Sequence, residues 1–217
     1  MVPVRVKRLL SWLAPINVER IEGRNGPLVV RWEAGQLVLN SAHGNQSFGS
    51  LHRVFQDVMK HPTVRTVDPK NILLLGLGGG SVPRILRAEL HIGAPITAVE
   101  WDPAMIKVAR EHFGSEQYQD LTVVEGDATV QVHALKDRFD LVLVDLFDDL
   151  DLARGIDAMG FAHALRDRCS GVLCFNTVGY DEASDRRCEL VRENLARVFG
   201  SVDELRSMGV NRVFIAR

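Results

Sequence analysis

Between Asn71 and Thr177 five short apolar runs alternate with stretches that suit helices, and few folds accept that rhythm. The runs are 72–75, 96–100, 121–125, 139–145 and 171–177. The first is apolar without interruption, as a strand buried on both faces must be. Strand and helix in alternation predict an α/β fold with a doubly wound, mostly parallel sheet. A helix over about 184–199 and two further runs, 201–207 and 211–216, complete the pattern. Met208-Gly209 joins the last two, which predicts a closing antiparallel hairpin and a sheet of seven strands.

The segment before Asn71 reads differently. Residues 17–40 suit short strands, with Glu33-Ala34-Gly35 as a hairpin turn between 28–32 and 36–39. Leu51, Val54, Phe55, Val58 and Met59 recur at helical spacing and give one apolar face. Pro62 and Pro69 bound the connector that follows. The expected organisation is a small N-terminal β-hairpin and helix appendage over 1–66 and a nucleoside-binding domain over 67–217. Residues 4–13 are basic and then apolar. They are too short in apolar length for a signal sequence and read as an amphipathic helix.

Charge narrows the partners. The formal net charge is −2, so no global basic field exists to hold nucleic acid. No apolar run reaches the length of a membrane span, so no membrane is expected. Three cysteines without metal spacing read as reduced thiols of a cytoplasmic protein, and no metal is expected. The histidines show no paired spacing on one helix and receive no role.

The chemistry gathers at the predicted carboxyl ends of the strands, where open α/β sheets bind ligands. Gly76-Leu77-Gly78-Gly79-Gly80-Ser81 follows the first strand. Gly76, Gly78 and Gly80 let the backbone approach a ligand that any Cβ would hold away. Glu100 ends the second strand and Trp101 follows it; a carboxylate there can accept hydrogen bonds from ribose hydroxyls. Gly126-Asp127-Ala128 ends the third, where the acid can accept from an adenine amino group. Each has a plainer reading: Glu100 as a solvated strand end, Asp127 as a helix cap. Ser81 stands where the dinucleotide pattern has its third glycine, and the closing hairpin is typical of methyltransferase-type folds. Both favour an S-adenosyl nucleoside over a nicotinamide one.

Several motifs resemble the spermidine synthase family. Val99-Glu100-Trp101-Asp102-Pro103-Ala104-Met105-Ile106 is similar to its E-h-D-P-x-h-I pattern, h being apolar. Phe55-Gln56-Asp57-Val58-Met59-Lys60-His61 is similar to its Y-x-E-M-x-x-H helix, and Gln46 falls where the family places a cofactor-contacting Gln. Residues 139–145 are similar to its F-D-h-I-h-x-D strand. The resemblance implies aminopropyl transfer from decarboxylated S-adenosylmethionine to a polyamine or other amine, with Asp145 as the strand-end catalytic acid. Asp148 keeps the family's D-x-x-D spacing. It also implies a homodimer through the N-terminal hairpin. The chain departs from the family at four places. Gly79 replaces a loop acid that helps hold the propylamine arm, and Phe55 replaces a tyrosine. The 145–149 loop is more apolar, and Asn176-Thr177-Val178-Gly179-Tyr180-Asp181 replaces Q-x-E-S-P-W. The nucleoside half of the site is kept and the amine half is altered. Methyl transfer from S-adenosylmethionine to an unknown acceptor, or nucleoside binding without catalysis, stay open beside aminopropyl transfer.

Overall fold

A computed structural model describes residues 3–41, 45–47, 50–148 and 151–217, the side chains of 45–47 and 50 lying outside that description. A short helix, α1 (Val4–Leu10), opens the chain. Four strands follow as an antiparallel meander: β1 (Ile16–Gly23), β2 (Gly26–Glu33), β3 (Gln36–Asn40) and β4 (Asn45–Ser47). Ala34 and Gly35 both take positive φ between the paired ends Glu33 and Gln36, the two-residue turn whose twist matches flanking strands. The expected hairpin is therefore the centre of a larger sheet. Helix α2 (Ser50–Lys60) buries Val54, Phe55, Val58 and Met59, and the turn α3 (Pro62–Arg65) follows.

The remaining chain alternates as its pattern requires. In order come β5 (Ile72–Leu75), α4 (Ser81–Arg84), β6 (Ile96–Glu100), α5 (Pro103–Glu111), β7 (Leu121–Glu125), α6 (Ala128–Ala134) and β8 (Phe139–Val144). A small hairpin of β9 (Phe147–Asp148) and β10 (Asp151–Leu152) precedes α7 (Met159–Arg168), β11 (Cys169–Val178), α8 (Glu182–Val198), β12 (Val202–Ser207) and β13 (Asn211–Ala216). The large sheet has seven strands in the order β12-β13-β11-β8-β5-β6-β7. β8, β5, β6, β7 and β11 run parallel, and β13 runs antiparallel between β11 and β12. Met208 and Gly209 take positive φ at the closing hairpin, as its register demands.

The sheet is covered on both faces. Ile72, Leu73, Leu74 and Leu75 of β5 are fully buried, and their alternation feeds two cores. Leu73 and Leu75 pack among residues of α6, α7 and α8; Ile72 and Leu74 pack among residues of α2, α4 and α5. Leu28, Val30 and Leu39 of the N-terminal sheet close over Val108 of α5 in a third, smaller core. Around it Glu19 meets His112 and Lys107, whose ammonium lies 3.8 Å from both Glu19 and Glu111 and supplies the cation these acids need.

Two elements depart from the sequence pattern. The helix expected after the glycine loop is only a turn long and passes into a π-helical turn over Ile85–Glu89. Leu90 donates to the carbonyl of Ile85, the wider i to i+5 closure, and Arg87 donates to the carbonyls of Ile92 and Ala94 to hold the exit. The acidic stretch after β8 is not a plain loop, since Asp148 pairs with Asp151 and Phe147 with Leu152 in antiparallel register.

Candidate active site

The carboxyl ends of β5, β6, β7, β8 and β11 open into one cavity of about 500 Å³. That is within the range of pockets that bury a small organic molecule, roughly 300–1,000 Å³. Gly76, Gly78, Glu100, Trp101, Asp127, Ala128, Asp145 and Asp148 all line it. Two expected residues differ. Gly80 is not among the lining residues; a Cβ there would face Ser115 and Ala109, and its φ of 90° serves as the left-handed entry to α4. Gln46 stands on β4, but its side chain lies outside the described residues.

The glycine loop is shaped by contact as well as conformation. A Cβ on Gly76 would stand 2.0 Å from the carbonyl oxygen of Asp145, so strands β5 and β8 could not keep their spacing with any other residue there. Glu100 is not a solvated strand end. It is 7% exposed, and its carboxylate is tied to the loop. The N–H groups of Leu77 and Gly78 both donate to Oε2 at 3.1 Å, and the N–H of Asp102 donates to Oε1 at 3.0 Å. A carboxylate has about four acceptor positions, so about one remains toward the cavity. Burial raises its pKa and these three backbone donors oppose the rise. Asp127 combines both readings given to it. Its Oδ1 caps α6 by accepting from the N–H and hydroxyl of Thr129, while the residue still lines the cavity.

Asp145 follows the last residue of β8. Its carboxylate is half-buried, and burial lifts its pKa from 3.8 to about 6 against an opposing hydrogen bond from Asn176. Asn176 Nδ2 donates to Asp145 Oδ1 at 2.9 Å, and Asn211 Nδ2 donates in turn to Asn176 Oδ1 at 3.1 Å. Asp148 is exposed at the mouth. Phe55, where the resembling family has a tyrosine, is 1% exposed within a core cluster and takes no part in the cavity.

The N-terminal sheet supplies a wall that was not read from the sequence. The β1–β2 turn, Arg24-Asn25, reaches over the strand ends. The Arg24 N–H donates to Asp102 Oδ2 at 2.9 Å, and its guanidinium lies 5.3 Å from the centre of the Trp101 ring. Asn25 lines the cavity and donates to Asp148 Oδ1 at 3.2 Å. On the other side Tyr180 donates its hydroxyl to Asp151 Oδ1 at 2.5 Å. The Asn25-Gly26 pair is a hairpin signal, and it alone could have marked this turn.

The chain as a whole is similar to known proteins. Residues 72–165 match the family model described as a methyltransferase domain. A polyamine aminopropyltransferase of Chromobacterium violaceum is 34% identical over 140 residues, covering 64% of this chain and 52% of that protein. The chain is thus similar in sequence to polyamine aminopropyltransferases, and its fold is methyltransferase-like. It spans about half the length of the curated aminopropyltransferases it matches. An eEF1A lysine and N-terminal methyltransferase homolog of Drosophila melanogaster is 40% identical over 101 residues, 45% of this chain and 14% of that one. The crystal structure of spermidine synthase in complex with the transition state analogue AdoDATO superposes with a TM-score of 0.68 at 16% identity, covering 92% of this chain and 71% of that one. Among the described residues no helix is long and apolar enough to cross a membrane.

Proposed function

We propose that this chain is a transferase that binds an S-adenosyl nucleoside and moves its aminopropyl group to an amine, with Asp145 as the proton acceptor. The observation that carries the reading is Asp145 itself. Its carboxylate is held by Asn176, is lifted to about 6 by burial, and shares one cavity with the glycine loop, Glu100 and Asp127. The donor set suits an adenosine: a glycine-lined wall, an acid with one acceptor position left for a ribose hydroxyl, a second acid for a base amino group, and an indole at the rim. The bound nucleoside supplies an alkyl carbon on a sulfonium, so that the N–C bond forms as the C–S pair returns to sulfur.

This chain's residues do the rest. An alkylammonium has a pKa near ~10.4 and arrives protonated. Asp148 at the mouth attracts it, and Asp145 orients the nitrogen toward the carbon. The ammonium first passes one proton to Asp145, which frees the nitrogen lone pair to attack the carbon, and the product forms as a secondary ammonium. Burial makes this carboxylate a better acceptor than an ordinary aspartate. The roles of Gly76, Gly78, Trp101 and Ala128 as nucleoside contacts, and the division near residue 66, belong to the same reading. The named relatives give it indirect support: one is called a polyamine aminopropyltransferase, the other a lysine and N-terminal methyltransferase, and both names specify an amine as acceptor.

The test is product formation. The protein is incubated with decarboxylated S-adenosylmethionine and, separately, with S-adenosylmethionine, each with a panel of di- and polyamines, and products are followed by mass spectrometry. Aminopropylated amine is the expected product. Methylated amine from the second donor alone would replace the group transferred. No transfer to any amine, with nucleoside binding intact by calorimetry, would overturn the reading in favour of binding without this chemistry.

A further inference from the structure

The two asparagines behind Asp145 come from the neighbouring strands β11 and β13; Asn176 heads the segment that departs from the resembling family, and Asn211 falls in none of its motifs. Asn176 is 0% exposed on β11, and Asn211 is 6% exposed at the start of β13. Their backbones are fixed by neighbours. Thr177 donates its hydroxyl to the carbonyl of Arg212. The Arg212 guanidinium is held by Glu204, Glu189 and Asp185. The side chains of Asn176 and Asn211 therefore meet at a position that the closing hairpin sets, 31 residues or more from Asp145 in sequence.

We propose that Asn211 and Asn176 form a polarised relay that positions Asp145, with Asn211 fixing which end of the Asn176 amide faces the carboxylate. The argument is one of donors and acceptors. A primary amide has a donor end and an acceptor end. With Asp145 ionised, an amide oxygen turned toward it would place oxygen against oxygen. Asn176 must then present its nitrogen to Asp145 and its oxygen away, into a buried place where an unpaired oxygen costs free energy. Asn211 Nδ2 supplies the hydrogen bond there. Successive hydrogen bonds polarise one another, so the donor offered to Asp145 is stronger than a free amide would be. Asn211 thus acts through Asn176 and is a positioning residue.

The other charged groups sharing this cavity are Asp148 and Arg154 beyond β8, and Glu100, Asp102 and Asp127 across it at the ends of β6 and β7. None is replaced in the variants below, so their field is constant. The proposal concerns Asp145 whether or not transfer is its use, and its meaning for catalysis rests on the function proposed above.

The experiment titrates Asp145 directly, by carbon NMR of the labelled aspartate carboxyls, in the wild type, Asn176→Leu, Asn211→Asp and the double variant. Asn176→Leu removes the donor and should raise the Asp145 midpoint by about one pH unit or more. Asn211→Asp offers only acceptors, so it draws the Asn176 nitrogen away and turns its oxygen toward Asp145; the midpoint should rise again. In the double variant the two rises should fall clearly short of adding, because the second acts through the first. Additive shifts would leave only through-space charge and overturn the relay, as would no shift in Asn176→Leu. Asn211→Ser keeps a hydroxyl donor and should return the midpoint toward the wild-type value, a result that also serves should Asn211→Asp fold poorly. The acid limb of turnover should move with the NMR midpoint. If the midpoint moves while Asp145→Asn leaves turnover untouched, the relay stands and the proposed function falls.

Discussion

Asp145→Asn separates the free-energy cost of the site from its use. The Asp145 carboxyl sits at about 6 against an ordinary value of 3.8 because burial penalises its charged form more than Asn176 repays. A raised acid binds its proton more tightly in the folded state. The native protein therefore keeps full stability below the unfolded value and loses some as pH climbs from about 3.8 to about 6. At ~1.36 kcal/mol for each pH unit, the loss reaches a ceiling of about 3 kcal/mol above pH 7, the ceiling applying because the group is reached by solvent through the cavity mouth. Asparagine has nearly the same shape, keeps an oxygen for Asn176 to donate to, and carries no charge to bury. Asp145→Asn should thus be more stable than the wild type at pH 8 by up to about 3 kcal/mol, or roughly 6–12 °C in Tm for a chain of this size. The gain should shrink to nothing near pH 3.5. At pH 7 to 8, where the wild-type carboxylate is ionised, turnover should fall ~10²–10⁴-fold, as when a positioned base is lost. Calorimetric melts of both proteins at four or five pH values give the difference directly. A difference in Tm that does not change with pH would refute the premise that Asp145 is held as a weak acid, whatever the activity does.

Two further outcomes follow from the geometry around it. Glu100→Ala should weaken nucleoside binding about 10- to 100-fold, the loss of a hydrogen-bonded charge, and should also speed amide exchange at Leu77 and Gly78, which now donate to that carboxylate; unchanged exchange would show that the loop does not depend on it. Asn25→Ala frees Asp148 from the N-terminal turn and should raise KM for the amine about two- to five-fold with kcat held, since the bond is exposed and modest; an unchanged KM would remove the turn from the acceptor site.

The core architecture was legible because its signals are local. A strand buried on both faces must be apolar throughout, so β5 declares itself, as does β8 from Leu141 to Val144, and Asp102-Pro103 marks the start of α5 by capping chemistry, Asp102 Oδ1 accepting from the Ala104 N–H. Glu100, Asp127 and Asp145 were legible as strand-end acids for the same reason. What each acid does was not. Glu100 looks free in sequence, yet the loop whose glycines drew attention folds back onto its carboxylate. The π-helical turn after α4 leaves no periodicity that distinguishes it from a helix that stops.

The N-terminal sheet was the harder part, and it bears most on what the site can accept. Its strands alternate weakly: β1 alternates intermediate and exposed residues with none buried, so its register could not be assigned from an apolar face. Yet the tip of its first hairpin carries Arg24 to Trp101 and Asn25 to Asp148, which links two sides of the cavity through two adjacent residues. Its effect is to make one wall of the cavity from a segment attached through a small core on α5, the ion pairs around Glu19 and this turn. In the function proposed above, a nucleoside packed against Trp101 would bear on Arg24, and Asn25 beside it would steady Asp148 for the amine. That coupling predicts ordered binding, nucleoside before amine, and initial-rate kinetics that show random order would refute it.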